Sequence, residues 1–157
     1  MACQAARPAA LQAAHDFLPK RGCGVPFSGS GDQNYGPRVI TVEYPCRLVS
    51  VANAREHWAR KAARAKRHRG DATRMMLRCQ MLRDKPAGAC VVTITRIGAR
   101  MLDTDNLASA CKATRDGVAD WLGRDDADPS ITWEYAQELA GKRGVYAVRI
   151  EVKPCDT

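Results

Sequence analysis

Alternation of apolar and polar positions predicts four β-strands. The first is rich in β-branched residues, alternates regularly and ends at Pro45, and the second is apolar enough to lie centrally in a sheet. Gly141 and Gly144 lie between the last two strands and predict a hairpin turn there. The predicted strands cover residues 39–44, 90–97, 131–137 and 145–152.

Two helical stretches separate these strands. Residues 50 to about 83 predict a helix that is capped by Ser50 or Asn53 and interrupted at Gly70 and Asp71. A second helix is predicted from about 106 to 122, because one stripe at about 100° per residue is apolar and should pack on the sheet. That stripe contains Leu107, Ala110, Cys111, Thr114, Val118, Trp121 and Leu122. The order β-α-β-α-β-β predicts an α+β fold, a small mixed sheet with two main helices on one face.

The first 37 residues differ in composition from the rest of the chain. They begin Ala-rich and continue with Gly, Ser, Pro, Asp and Asn but few apolar side chains. Such a stretch buries too little surface to offset the entropy lost on ordering. We therefore expect a flexible N-terminal arm over 1–37, followed by one domain over 38–157.

Positive charge is concentrated in the first predicted helix. The 157-residue chain has a formal net charge of +8, and residues 55–85 hold eleven Lys or Arg against three acids, a surplus of the same size. Such a local field attracts a phosphate backbone, so nucleic acid is the expected partner, although a merely solvated helix face is the alternative. The expected DNA-binding residues are Arg60, Lys61, Arg64, Lys66, Arg67, Arg69 and Arg74.

Three other side chains of this helix bear on the same interpretation. Trp58 lies among the cations. We expect it to anchor the helix in the core; the alternative is that its ring stacks on an exposed base. His57 and His68 would add positive charge at low pH.

Composition also bears on membranes, compartment and cysteine chemistry. No apolar run is long enough to span a bilayer, and no signal peptide is evident, so we expect a cytoplasmic protein without a membrane partner. The seven cysteines form no C-x-x-C pair, which favours reduced thiols, several of them small core residues. A zinc site built from distant cysteines stays open as an alternative.

Seven aspartates lie between positions 103 and 128 of this basic chain. Neighbouring carboxylates repel unless something positive neutralises them, and Mg²⁺ prefers such oxygen ligands. Asp105, Ser109, Lys112 and Asp116 share the helix side opposite the apolar stripe. The alternative is structural: an N-cap at Asp105 or Asn106, a turn at Asp103, a Lys112–Asp116 surface pair, and ordinary loop chemistry at 125–126.

The run Leu102-Asp103-Thr104-Asp105-Asn106-Leu107, followed by Lys112, Asp116 and Asp125-Asp126, resembles the D-x-D-N-L…K…D…DD signature of the RusA family of Holliday junction resolvases. Many members are carried by phages and prophages, and the resemblance covers roughly residues 38–153. It implies a homodimeric, Mg²⁺-dependent endodeoxyribonuclease that cuts four-way DNA junctions symmetrically, in a bacterial host cell.

The resemblance also implies a set of site residues. The family's metal-binding aspartates fall on Asp103, Asp105 and Asp126, and its essential lysine falls on Lys112. Three extra residues within 108–111 precede this lysine, which leaves it on nearly the same helix face but one turn further along. A helix of about 17 residues spans about 25 Å, so we expect Asp126 at its far end and a partner subunit to complete the site.

The implied reaction is phosphodiester hydrolysis. A bound metal would lower the pKa of a water so that hydroxide attacks phosphorus in line, and Lys112 would stabilise the charge that develops. Two alternatives remain: a non-catalytic nucleic-acid-binding phage accessory protein with the same fold, and a structural or interaction protein whose charge only keeps it soluble.

Overall fold

The predicted order of strands and helices is confirmed. The computed structural model describes residues 39–50, 56–80, 84–142 and 144–155, so the expected arm over 1–37 and the Asn53 cap lie outside the described residues. No helix in these ranges is both long and apolar enough to cross a membrane. The elements are β1 (Ile40–Pro45), α1 (Trp58–Gln80), β2 (Cys90–Gly98), α2 (Thr104–Leu122), β3 (Ile131–Leu139) and β4 (Ala147–Pro154).

The four strands form one mixed sheet in the order β1-β4-β2-β3. Strand β4 pairs antiparallel with both of its neighbours, whereas β2 and β3 are parallel and joined through α2. The predicted β3–β4 hairpin is therefore wrong, since β2 lies between these strands. Burial gives the reason: Val148, Ile150 and Val152 are fully buried, which requires a neighbour on each side of β4, while the end of β3 is exposed.

One face of the sheet is apolar and lies beneath the helices. Strand register aligns Val42, Ile150, Ile94 and Tyr135 in a row across all four strands, and the first three of these are buried. The predicted apolar stripe of α2 is buried throughout. Cys90 and Cys111 are buried free thiols of this core, as predicted for part of the cysteine set.

Helix α1 runs without a break through Gly70, so the predicted interruption there is wrong. Glycine weakens a helix interior by about 1 kcal/mol, and burial of His68, Ala72 and Met76 against the rest of the fold offsets that cost. Ser50 is not the helix cap either, because α1 begins at Trp58; its hydroxyl instead donates to the side-chain oxygen of Asn106 at the start of α2.

Helices α1 and α2 approach each other most closely at Gly117. A Cβ at this position would lie 2.3 Å from the backbone oxygen of Arg69 and 2.9 Å from the Ala72 Cβ. The Thr73 hydroxyl donates to the Gly117 carbonyl at 2.9 Å, and Arg69 forms a bidentate pair with Asp120 at 2.6 and 2.7 Å. The two backbones can touch here only because residue 117 has no side chain.

We predict that Gly117→Ala destabilises the fold. The added methyl must push α1 away, and overpacking of this kind costs on the order of 1–3 kcal/mol, more than the gain of about 1 kcal/mol in helix propensity. Gly70→Ala is the matched control, because nothing lies within 4 Å of its added Cβ, and it should stabilise α1. Urea unfolding of both variants checks this, and equal stabilisation by both would contradict the tight crossing.

Candidate metal and nucleic-acid site

Two exposed carboxylates mark the beginning of α2. Asp103 is the N-cap, with extended backbone (φ −68°, ψ 162°), and its Oδ1 accepts from the Asn106 amide at 3.3 Å. Asp105 lies in the first turn, where the helix dipole favours negative charge. The sequence had suggested Asp105 or Asn106 as the alternative cap. No cation of the described chain forms an ion pair with either Asp103 or Asp105.

Two sheet residues that sequence reasoning missed hold the segment leading to Asp103. The Gln137 side chain accepts from the Leu102 amide at 2.8 Å and donates to the Leu102 carbonyl at 2.7 Å. Arg96, which is the register partner of Gln137, donates to the Arg100 carbonyl at 2.7 Å. Together they fix this lead-in on the sheet. The sequence feature that could have revealed both residues is a polar side chain at a position of β2 or β3 that faces the core.

A second group of charges lies midway along α2. Lys112 Nζ is 3.7 Å from Asp116 Oδ1 and 3.9 Å from Asp126 Oδ2, so the suggested Lys112–Asp116 pair is present. Arg115 donates to both the carboxylate and the backbone oxygen of Asp126, at 2.8 and 2.9 Å. Trp133 donates to the same backbone oxygen at 3.0 Å.

These contacts correct the expected position of Asp126. The loop after α2 does not remain at the far helix end; it folds back until residue 126 lies beside residues 112–116. The driving contacts are the hydrogen bonds from Arg115 and Trp133, whose side chains also stack, with the guanidinium carbon 5.4 Å from the ring centroid. Asp126 thus lies near Lys112 within one chain.

Most other aspartates of the cluster have structural partners. Asp125 accepts from the Ala127 amide at 2.8 Å and Asp128 from the Ser130 amide at 2.8 Å, the loop chemistry offered as an alternative. Hydrogen bonds from Ser130 hold the pKa of Asp128 below its usual value. The hydrogen bonds from Arg69 likewise lower the pKa of Asp120.

The three predicted metal ligands are therefore divided between two places in a single chain. Asp105 precedes Lys112 by seven residues, about 10 Å of helix rise, and Asp126 lies beside Lys112. No group of three or more His, Cys, Asp or Glu side chains within the described ranges is arranged to hold a metal ion. Asp103 and Asp105 still fit Mg²⁺, which commonly takes one or two protein carboxylates together with water and substrate phosphate.

The cations of α1 fall into two classes. Arg64, Arg69 and Arg74 form ion pairs with Glu56, Asp120 and Asp71 respectively. The others of the predicted DNA-binding set form no ion pair with described acids and are exposed to solvent: Arg60, Lys61, Lys66 and Arg67. This second class is free to meet phosphates.

Trp58 and His68 differ from the sequence-based expectations in informative ways. Trp58 is 75% exposed, so the preferred interpretation as a core anchor is wrong. His68 is buried, and burial, followed by the nearby Arg67 and Arg64, lowers its pKa, so it is neutral at neutral pH. His57 is exposed; it directly precedes α1, and its Nδ1 accepts from the Ala59 amide at 3.3 Å.

A cavity of about 290 Å³ between the helices joins the basic and acidic regions. Lys61, Arg64 and His68 line it from α1, and Lys112 and Asp116 line it from α2. Of the exposed cations of α1, Lys61 lines this cavity, so a phosphate held by Lys61 would lie near Lys112.

Comparison with known proteins gave no assignment: no family model, curated protein or solved structure matches this chain.

Proposed function

We propose that this protein is a Mg²⁺-dependent endodeoxyribonuclease that binds branched DNA, with four-way junctions as the substrate suggested by the RusA-like motif. The observation that carries the proposal is electrostatic. Among the described residues, Asp103 and Asp105 are exposed and form no ion pair, whereas Asp116, Asp120 and Asp126 in the same cluster are ion-paired. Two carboxylates that are two residues apart and are not engaged by a described cation can both turn to a divalent cation.

Each residue has a distinct part in the proposed reaction. Asp103 and Asp105 would hold Mg²⁺, which would lower the pKa of a bound water; its hydroxide would form the new P–O bond as the bond to one sugar oxygen breaks, and that oxygen would take a proton from water. Lys112, whose side chain is 69% exposed and whose ammonium pairs with Asp116 and Asp126, would have to turn towards the beginning of α2 to stabilise the charge that develops on the phosphate. The exposed cations of α1 would hold the DNA strands through their phosphates, which positions the substrate without reading its sequence.

We further propose that the protein acts as a homodimer. Two symmetric cuts in a junction of two-fold symmetry are most simply made by two copies related by the same symmetry. Asp126 of the same chain lies beside Lys112, away from the beginning of α2. A second copy would bring its own Asp126 to Asp103 and Asp105, and that carboxylate would exchange its pair with Arg115 for the metal.

One observation favours a second candidate function, a non-catalytic DNA-binding protein. Asp126 is neutralised by Arg115 and Lys112 without any metal, which is the arrangement expected if this carboxylate serves the loop alone. Such a protein would bind junctions in a salt-sensitive manner but would not cut them in Mg²⁺.

We predict that Asp103→Asn and Asp105→Asn reduce cleavage of a synthetic four-way junction in Mg²⁺ to the level that the wild type shows in EDTA. Binding measured in EDTA should be equal or tighter, because each change removes a negative charge near phosphate. Asp125→Asn is the matched control: it is an exposed aspartate of the same cluster that bonds only its own loop. Full cleavage by the Asp103 variant would overturn the proposed metal site.

Cleavage of the junction by the wild type in Mg²⁺ separates the two candidate functions, and Asp126→Asn then tests whether this carboxylate belongs to the site and whether the site is shared in a dimer. In the nuclease, mixing inactive Asp103→Asn and Asp126→Asn chains restores nicking if each site draws ligands from both subunits, because a mixed dimer contains one intact site. The shared site would be contradicted if the mixture does not regain nicking and if sedimentation shows only monomers when junction DNA is present. Full cleavage by the Asp126→Asn variant alone would show that Asp126 stabilises the loop and takes no part in the metal site.

We predict that DNA affinity depends on the unpaired cations of α1. Replacing Arg60 and Arg67 with Gln should lower the magnitude of the slope of log Kobs against log salt by up to about 2, since each phosphate contact contributes about 0.9. Replacing Lys142 and Lys153, two exposed lysines outside α1, removes the same charge and is the control. Fluorescence anisotropy over a salt series measures both, and equal slopes would show that DNA binds elsewhere.

We predict that Trp58 stacks on unpaired bases. Trp58→Ala should weaken binding to single-stranded DNA about 5- to 150-fold, the range of 1–3 kcal/mol for one base on an aromatic ring, while Trp58→Phe retains most of the affinity. Binding to uninterrupted duplex should change little, because its bases are already stacked. Unchanged single-strand affinity in the Ala variant would contradict a stacking role.

A further inference from the structure

A cavity lined by three arginines adjoins the beginning of α2. It has a volume of about 590 Å³ and lies between the end of β1, the end of β2 and the segment that leads to Asp103. Arg47, Arg96 and Arg100 line it together with Ser50, Leu102 and Tyr146, and none of the described residues that line it is a carboxylate. Three positive charges therefore converge on one opening.

Arg96 gives this cavity its chemical character. Its side chain projects from the core face of β2 and the residue is only 6% exposed. Its guanidinium donates to two backbone carbonyls, Arg100 at 2.7 Å and Leu48 at 3.4 Å, and forms no ion pair with an acid of the described chain. A buried charge is costly unless it is paired, and carbonyl dipoles offset only part of that cost.

Gly98 leaves the space that the guanidinium occupies. A Cβ at this position would lie 3.0 Å from Arg96 Nη2 and 3.1 Å from its Cζ. The side chain is thus packed against bare backbone in a fixed orientation. Nε and Nη1 donate to backbone carbonyls, which leaves Nη2 to donate a charged hydrogen bond to an anion, and the fixed plane of the guanidinium sets the direction of that bond.

The other two arginines belong to the exposed rim. Arg47 and Arg100 are exposed, and Arg47 lies over the Tyr146 ring at 4.9 Å, which orients it beside the opening. The arrangement therefore has a buried cation at its base and two solvent-accessible cations at its mouth. That combination admits a polyvalent anion from solvent and neutralises it once inside.

We propose that this cavity is a binding site for a phosphate group, separate from the cationic surface of α1. The anion would complete the charge balance of Arg96 while Arg47 and Arg100 close around its outer oxygens. The lead-in to Asp103 is fixed by Arg96 itself, so a phosphate bound here lies close to the candidate carboxylates. The group can come from a nucleic-acid strand or from a free phosphate or mononucleotide.

Inorganic phosphate is the probe for this site, tested on the full-length chain. Phosphate should raise the melting temperature of the wild type in a saturable manner beyond chloride at equal ionic strength. In an Arg47→Gln/Arg100→Gln variant its affinity should fall at least about tenfold, because each lost charged hydrogen bond contributes about 1.5–3 kcal/mol. The two rim residues are chosen because both are exposed, and an unchanged melting temperature without phosphate verifies the fold.

Arg78→Gln/Lys153→Gln is the matched control. It removes two exposed cations that lie outside the cavity and outside the expected DNA-binding set, and its phosphate affinity should equal that of the wild type. The proposal is overturned if phosphate acts no more strongly than chloride, or if the rim variant responds as the wild type does.

Oligonucleotide binding by the rim and control variants identifies the source of the phosphate. This experiment, unlike the phosphate titration, rests on the proposed function. If the ligand is a strand phosphate, the rim variant loses more DNA affinity than the control variant. If it is a free phosphate, DNA affinity falls equally in both variants and only phosphate binding separates them. The phosphate titration involves no cleavage, so its failure would leave the nuclease proposal standing, and failure of cleavage would leave the phosphate site standing.

Discussion

The close crossing of α1 and α2 at Gly117 determines where the other candidate residues lie. Without a side chain at this position, the Arg69 carbonyl approaches the backbone of α2, and Thr73 and Arg69 add polar contacts on either side of the crossing. The crossing fixes a strongly basic helix beside the helix that carries the acids. Opposite charges are thereby held next to each other by packing, which is insensitive to salt, rather than by their own attraction.

Within this frame, ion pairing divides the acids into two groups. Asp116, Asp120 and Asp126 are neutralised by Lys112, Arg69 and Arg115, and they stabilise the helix pair and the loop after α2. Asp103 and Asp105 receive no such partner from the described residues, although the chain has cations in excess. Arg96 presents the opposite imbalance nearby, a buried cation that pairs with no acid in the part of the chain that the structure describes. A phosphate together with a divalent cation would complete both, which is why a nucleic-acid substrate accounts for the two features at once.

The sequence predicted what depends on local periodicity. Alternation and helical spacing predicted the apolar stripe of α2, the four strands and the order of these elements along the chain, because burial on one face imposes those patterns. The central position of β4 could not be predicted, since strand pairing is decided by long-range burial. For the same reason the return of Asp126 to Lys112 depends on Arg115 and Trp133, which meet only in the folded chain. Trp58 looked like a core residue because most tryptophans are, and only tertiary structure shows it exposed.

The central claim is that Asp103 and Asp105 hold the divalent cation that acts on DNA. Its most direct test is a crystal of the protein with junction DNA and Mn²⁺, located by its anomalous scattering. The account predicts a peak about 2.1 Å from carboxylate oxygens of both residues, with a DNA phosphate oxygen among the remaining ligands. A peak on Asp116, Asp120 or Asp126 alone, or no peak at the beginning of α2 in a DNA-bound crystal, would contradict it.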